Sequence, residues 1–274
     1  MIPAAFDYVR AGSAEEAISL LGEHGDDAKL LAGGHSLLPL MKLRLAAPAV
    51  LVDIGRIADL SYIRDAGDHV AIGALTRYHD IEFSDLLREQ VPLVSTAIGS
   101  VGDPPVRHRG TIGGSAAHGD PASDVPAVLL ATGATLVAQG PDGTREISAD
   151  DFFTGFLETE LEPTEVLTEV RVPKAAGVGF GFQKFNRRAQ DWAIVGVAVQ
   201  ARNGGAGIGL VNMGSAPLRA RAAEAALADG ASAADAAAKA DDGTEPPSDL
   251  NGSSDYRRHL SRVLVRRALE SAGL

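Results

Sequence analysis

The chain has 274 residues, a formal net charge of −11 and no cysteine. The missing thiols exclude a disulfide scaffold, a thiolate zinc site, a cysteine nucleophile and a cysteine-ligated iron–sulfur cluster. The acidic balance argues against nucleic acid as a partner, and 45% hydrophobic with 22% charged residues is the composition of a globular protein of roughly two domains.

Taken in chain order, the first ten residues lack the basic region and apolar core of a secretory signal. Ser13-Ala14-Glu15-Glu16 is a capping box that predicts a helix carrying Ala17, Ile18 and Leu21 and stopped by Gly25. A short apolar run, Lys29 to Ala32, precedes two glycines, and Ser36 to Leu45 returns to helical spacing with Pro39 in its first turn. Val50 to Ile54 reads as a buried strand. Tyr62 to Arg64 and His69 to Ile72 flank a hairpin signal at Asp65-Ala66-Gly67-Asp68. Thr76 is expected to cap a helix running through Phe83, and Pro92 to Ile98 forms another. A glycine-rich loop at 110–115 is followed by a helix over Asp124 to Thr132. Ala134 to Gln139 and Thr144 to Ile147 make a second hairpin around Gly140-Pro141-Asp142-Gly143, and Val166 to Val172 is a strand.

The composition changes near Pro173. Gly177 to Asn186, Ala193 to Arg202 and Gly207 to Met213 read as an antiparallel meander. Alanine-rich helices follow over 218–229 and 232–240, then a loop over Asp241 to Ser254 and a final helix from about Asp255. The longest apolar stretch, Val125 to Ala138, is interrupted by Gly133 and falls short of the about 20 residues of a membrane helix, so no membrane span is expected and a cytoplasmic location is the default.

Common active-site signatures are missing. There is no G-x-G-x-x-G, no G-x-x-x-x-G-K-[ST], no G-x-S-x-G and no H-E-x-x-H, and the seven histidines form no i, i+4 pair, so no metal site is expected. Two glycine-rich segments remain, Leu31-Ala32-Gly33-Gly34-His35-Ser36 and Gly110-Thr111-Ile112-Gly113-Gly114-Ser115. Such a segment can aim several backbone N–H groups at one point, because glycine has no Cβ to block a ligand. A pyrophosphate can then be held without a basic cluster, which suits an acidic chain. A third segment, Lys184-Phe185-Asn186-Arg187-Arg188-Ala189-Gln190-Asp191-Trp192, carries three cations and the only tryptophan. It reads either as a platform for a planar ligand or as a solvated hairpin with Trp192 in the core, and the residues alone favour the hairpin.

In sequence, Ala32-Gly33-Gly34-His35-Ser36-Leu37-Leu38-Pro39-Leu40-Met41-Lys42-Leu43-Arg44-Leu45 with Leu51-Val52-Asp53-Ile54 resembles the FAD-binding medium subunit of carbon monoxide dehydrogenase and related molybdenum hydroxylases. Thr111 to Ser115 followed by His118-Gly119-Asp120-Pro121-Ala122-Ser123-Asp124-Val125-Pro126 is similar to that family's second signature. Lys184 to Trp192 resembles its third, and Tyr256 to Leu260 with Arg266 to Leu269 its C-terminal helix. The resemblance covers nearly the whole chain in order. Two positions depart from it: Ser115 and His108 stand where asparagine is usual.

The resemblance implies an α+β fold. A p-cresol methylhydroxylase-type FAD-binding domain, 1–173, would consist of two α/β subdomains, about 1–57 and 58–173. A C-terminal domain, 174–274, would carry a three-stranded antiparallel sheet and a helical bundle. It implies FAD as cofactor, wrapped by Leu30, Leu31, Ala32, Gly33, Gly34, His35, Ser36 and Leu37 and by Thr111, Ile112, Gly113, Gly114 and Ser115. Asp124, Leu167 and Lys184 would be further contacts, and Trp192 would lie near the isoalloxazine. No acid–base residue is assigned. Relatives of this kind hold FAD non-covalently, although the Gly33-Gly34-His35 element also resembles one that some flavin oxidases use for covalent attachment through histidine. The implied partners are a molybdenum-cofactor large subunit and a [2Fe–2S] small subunit, in a dimer of heterotrimers, with a small-molecule electron acceptor. The competing functions are a stand-alone FAD oxidoreductase and a flavin-free scaffold subunit. A chain without thiolates cannot house iron–sulfur clusters, so electrons would arrive across an interface.

Overall fold

A computed structural model describes residues 2–274 and builds three main sheets. The first unit contains β1 (Asp7–Arg10), α1 (Ala14–His24), β2 (Ala28–Leu31), α2 (Leu37–Lys42) and β3 (Val50–Asp53). Its strands are parallel in the order β1-β3-β2, with Tyr8 beside Leu51 and Leu30 beside Val52. The expected capping box is present but reaches one residue further. Ser13 Oγ accepts from the Glu16 N–H, while the Glu16 carboxylate accepts from the Gly12 N–H at 2.6 Å, ahead of the cap. α1 lays Ala14, Ala17, Ile18 and Leu21 on the sheet and ends at Gly25 with φ +54°. α2 is shorter than expected. It stops at Lys42 because Arg44 turns left-handed (φ +59°), which lets the Leu45 N–H bond back to the Leu40 carbonyl.

The second unit runs through β4 (Ile63–Asp65), β5 (His69–Gly73), α3 (Tyr78–Phe83), α4 (Asp85–Gln90), α5 (Pro92–Gly99), α6 (Pro104–Arg107), α7 (Ile112–His118) and α8 (Asp124–Thr132). It continues with β6 (Thr135–Gly140), β7 (Gly143–Ser148), α9 (Ala149–Phe152), β8 (Phe153–Gly155), β9 (Glu158–Thr159) and β10 (Val166–Pro173). Both predicted hairpins form, and β10 inserts between them to give an antiparallel sheet in the order β4-β5-β10-β6-β7.

Two local expectations are corrected here. Thr76 does not cap α3. Its hydroxyl is buried and exchanges hydrogen bonds with the Tyr62 backbone, accepting at 3.1 Å and donating at 2.9 Å, and Arg77 takes the cap position. Residues 110–115 are not all loop either. Thr111 caps α7 through its side chain, so Gly113 and Gly114 lie in the first turn of that helix. The helices α4 and α6 had no periodic signal; each is one or two turns capped by a side chain, Ser84 and Asp103 respectively.

The third unit holds β11 (Phe180–Phe185), β12 (Val195–Arg202), β13 (Gly205–Val211), β14 (Leu218–Arg219), α10 (Arg221–Ala228), α11 (Ala233–Ala237) and α12 (Ser254–Ser271). The three long strands form the expected antiparallel meander, and the two-residue β14 adds a fourth at its edge.

Glycines set how tightly this sheet packs. A Cβ at Gly207 or Gly209 of β13 would lie 2.1 Å or 1.9 Å from the carbonyl oxygens of Ala131 and Ala127 on α8. On the opposite side, Gly179 and Gly181 meet the carbonyls of Ala272 and Ala268 at the end of α12 in the same way. Two residues along a strand advance about 6.8 Å and four along a helix about 6 Å, so each glycine pair matches an i, i+4 alanine pair. All nine residues of α8 are buried, because the helix is covered by its own sheet on one side and by the third unit on the other. That double coverage explains why its sequence between Asp124 and Thr132 is apolar all round.

Candidate functional site

The first glycine segment leaves β2 and enters α2. Leu30 and Leu31 are half-buried at the end of β2, Ala32 to Ser36 form the turn, and Leu37 opens the helix. Gly34 has φ +79°, a conformation other residues adopt only under strain. The backbone N–H groups of Gly33, Gly34, His35, Ser36 and Leu37 have no protein acceptor among the described residues. Five consecutive donors without a protein acceptor, on a short turn, are the kind of backbone that can take an anion. His35 itself is exposed, and partial burial together with the Arg109 guanidinium holds its imidazole below the usual histidine range.

The second segment packs directly against the first. A Cβ on Gly33 would lie 2.3 Å from the Arg109 carbonyl oxygen and 3.1 Å from Gly110 Cα, so the backbones touch there. Gly113 is pressed against Ala74, where a Cβ would come within 2.4 Å of the Ala74 methyl. From Ile112 to Ser115 the donors of this segment are already used. Ile112 bonds to the Thr76 carbonyl at 3.2 Å, Gly113 to the Ala74 carbonyl at 2.9 Å, Gly114 to Thr111 Oγ1 at 3.1 Å and Ser115 to the Thr111 carbonyl at 3.1 Å. The two segments therefore differ in role. The first presents free N–H groups, and the second uses its glycines for close packing and leaves side-chain hydroxyls as its polar contribution.

From Ser115 a chain of contacts leads into the third unit. Ser115 Oγ lies 2.8 Å from Ser123 Oγ, and the side chain of Tyr78 is buried close by; burial raises the Tyr78 pKa and keeps its hydroxyl protonated. The next residue, Asp124, accepts from Lys184 Nζ at 2.6 Å, and Nζ also donates to the Ser100 carbonyl at 3.1 Å. Both side chains are at least nine-tenths buried, and Asp124 Oδ1 has no partner. Burial pushes the Asp124 carboxyl above the ordinary range while Lys184 pulls it back.

Leu167 is buried in the core beside a bulge in β10, under α7. Trp192 sits in the turn between β11 and β12 with 58% of its surface exposed. The reading that put it in the core is wrong: Ala193 and Ile194, immediately after it, are the buried residues. His108, where the related sequences favour asparagine, stacks on His79 with ring centroids 4.1 Å apart.

Three residues escaped sequence reasoning. Arg77 donates to the Arg109 carbonyl through Nη1 and to the Gly55 carbonyl at 3.2 Å through Nη2, and so ties the start of the second glycine segment to the turn after β3. Ser123 bonds to Ser115, and the buried Tyr78 side chain approaches it. None carries a local signal, because each acts on residues 8 to 37 positions away. Among the described residues no group of three His, Cys, Asp or Glu side chains is placed to hold a metal, and no helix is long and apolar enough to cross a membrane.

The family described as "FAD binding domain in molybdopterin dehydrogenase" matches residues 4–175, and the "CO dehydrogenase flavoprotein C-terminal domain" matches residues 180–272. The carbon monoxide dehydrogenase medium chain of Hydrogenophaga pseudoflava is 44% identical over 99% of this chain and 98% of its own length. The glyceraldehyde dehydrogenase medium chain of Sulfolobus acidocaldarius is 39% identical, covering 98% of this chain and 99% of its own. A solved structure of carbon monoxide dehydrogenase from Hydrogenophaga pseudoflava, lacking the Mo-pyranopterin moiety of its cofactor, superposes with a TM-score of 0.95 at 46% identity, covering 100% of this chain and 99% of that one.

Proposed function

Because the chain belongs to the family of FAD-binding medium subunits of carbon monoxide dehydrogenase-type molybdenum hydroxylases, we propose that it receives electrons from an iron–sulfur partner subunit and passes them through FAD to a small-molecule acceptor. It is a flavoprotein subunit of an oxidoreductase, and its cofactor is FAD. The natural partners in this reading are a molybdenum-cofactor large subunit and a [2Fe–2S] small subunit, assembled as a dimer of heterotrimers in the cytoplasm. The flavin-binding part spans residues 1–173 and the C-terminal part 174–274.

The observation that carries the reading is the array of free N–H groups from Gly33 to Leu37, packed against the second glycine segment. Those donors would hold the pyrophosphate. Leu30, Leu31 and Ala32 would flank it, and Thr111, Ile112, Gly113, Gly114 and Ser115 would form the opposite wall, with the Ser115–Ser123 hydroxyl pair beside it. Asp124, Lys184 and Leu167 would support that wall from below, and Trp192 would offer its exposed ring to the isoalloxazine. Bound FAD supplies the exchange between two-electron and one-electron chemistry. This chain's part is to bind, orient and cover the cofactor.

The test is purification of the chain with its co-expressed partners, followed by flavin and metal analysis. The expected result is about one FAD per chain, released on denaturation, with molybdenum and iron on the other subunits. A complex that assembles yet takes up no FAD under any condition overturns the reading. Turnover of an organic substrate by this chain alone would favour a stand-alone oxidoreductase instead.

A further inference from the structure

The turn between β11 and β12 presents an exposed indole on a backbone that is buried from the next residue onward. Two residues remote in sequence converge on that backbone. Asn212, directly after β13, is left-handed with φ +62° although it is not glycine. Its amide Nδ2 donates to the Ala193 carbonyl at 3.0 Å and the Ile194 carbonyl at 3.4 Å. Its own N–H donates to the Pro121 carbonyl at 2.7 Å, in the segment that leads to Ser123 and Asp124. Arg257 of α12 has no exposed surface. Its Nη1 donates to the same Ile194 carbonyl and its Nη2 to Asp249 at 2.8 Å, while its Nε has no partner.

A buried guanidinium with an unmet donor is a costly way to stabilise a fold, and an apolar side chain of similar size usually serves as well or better. A left-handed asparagine is likewise less comfortable than glycine. Both uncomfortable groups are spent on the backbone one and two residues after Trp192. The turn itself is closed by the Ile194 N–H bonding to the Phe185 carbonyl at 2.7 Å. The Pro121–Asn212–Ala193 contacts join the segment that leads to Ser123 to the Trp192 turn through one residue, next to the Lys184–Asp124 pair, and so limit how that turn can tilt.

We infer that Asn212 and Arg257 are positioning residues that fix the Trp192 turn against the FAD-binding half of the chain. This rests on the reading that Trp192 faces the bound flavin, and the experiment separates the two. Trp192 is the only tryptophan in the chain, so tryptophan emission from the full chain reports this turn alone. Two readouts are taken on wild type, Asn212→Gly and Arg257→Met. They are the tryptophan anisotropy without FAD and the quenching of tryptophan emission as FAD is added. Asn212→Gly keeps the left-handed backbone and deletes only the amide, and Arg266→Ala, an exposed position on the same helix, is the control.

The expected result is strong quenching by FAD in wild type and control. In both variants the free anisotropy falls and the quenching at saturating FAD drops to half of the wild-type value or less. Wild-type quenching with unchanged anisotropy and quenching in Asn212→Gly overturns the positioning role. No quenching in wild type, with FAD bound, overturns the placement of Trp192 at the flavin. Should Arg257→Met fail to fold, Asn212→Gly decides the matter.

Discussion

Replacing Gly33 by alanine tests the contact on which the site is built. The backbone at Gly33 is not left-handed, so alanine is not disfavoured by conformation. The objection is purely steric. The new methyl would sit 2.3 Å from the Arg109 carbonyl oxygen and 3.0 Å from its carbon, both backbone atoms. Ordinary contact requires the two segments to part by roughly 1 Å. That carbonyl also accepts from Arg77, so moving it strains the bond that ties the second segment to Gly55. Overpacking of this kind costs about 1–3 kcal/mol. The free N–H array lies on the segment that must move, so most of this cost should appear in cofactor binding. A penalty in that range corresponds to a loss of FAD affinity of about 10- to 100-fold. Titration of the apo chain with FAD, followed by flavin emission, measures it, and a thermal melt of the apo chain reports the remainder. Unchanged affinity with an unchanged melt would refute the reasoning, because the two segments would then not need to touch.

Three further substitutions test the frame around the site. Lys184→Met leaves the Asp124 carboxylate buried and unpaired, at a cost of about 3–5 kcal/mol in denaturant unfolding. Asp124 is raised in the folded protein chiefly by burial, and losing Lys184 raises it further. The folded state then binds this proton more tightly than the unfolded chain does, so stability falls as pH rises from the ordinary carboxylate range toward the raised value. The deficit of the variant should therefore shrink as the pH is lowered from neutrality toward 5, and a deficit that grows on acidification counts against this account. Gly209→Ala drives a methyl to 1.9 Å from the Ala127 carbonyl and should cost about 3 kcal/mol by parting the third unit from α8. Gly22→Ala, a position inside α1 with open space around it, should by contrast stabilise by about 0.5–1 kcal/mol in the same assay.

Local signals were legible in the sequence, and pairings at a distance were not. The two hairpins follow from turns at Asp65-Ala66-Gly67-Asp68 and Gly140 to Gly143, yet nothing local says that β10 enters between them. The second glycine segment reads as loop because glycine weakens a helix. Tertiary packing overrides that preference, since only glycine lets α7 approach Ala74. The first glycine segment was legible as a turn that opens a helix. That the N–H groups from Ile112 to Ser115 are occupied depends on hydrogen bonds accepted by Thr76, Ala74 and Thr111. Lys184 was chosen through family resemblance, and its buried partner Asp124 lies 60 positions away. The residue pattern also misplaced Trp192, because amino-acid type says little about which side of a turn faces solvent.

The opening charge balance now bears on how the cofactor is held. A chain of −11 that binds a pyrophosphate needs compensation, and the cations near the site are mostly engaged. Lys184 is paired with Asp124, and Arg77 is bonded to two carbonyls. Arg109 is exposed, acts electrostatically on His35 and makes no ion pair among the described residues. His35 is held on the neutral side by its surroundings. In the proposed reading the anion is met chiefly by backbone dipoles, which act at contact range and are little screened by salt, with the exposed Arg109 as a nearby cation. FAD affinity should fall only slightly between low and high ionic strength. Arg109→Gln should weaken binding about two- to five-fold at low salt, the size of one exposed ionic contact. The two proteins should converge near 0.5 M salt, where screening acts within a few ångströms. Titrations at several salt concentrations decide this. A steep salt dependence that persists in Arg109→Gln would mean that unrecognised cations, and not the Gly33–Leu37 N–H groups, hold the phosphates.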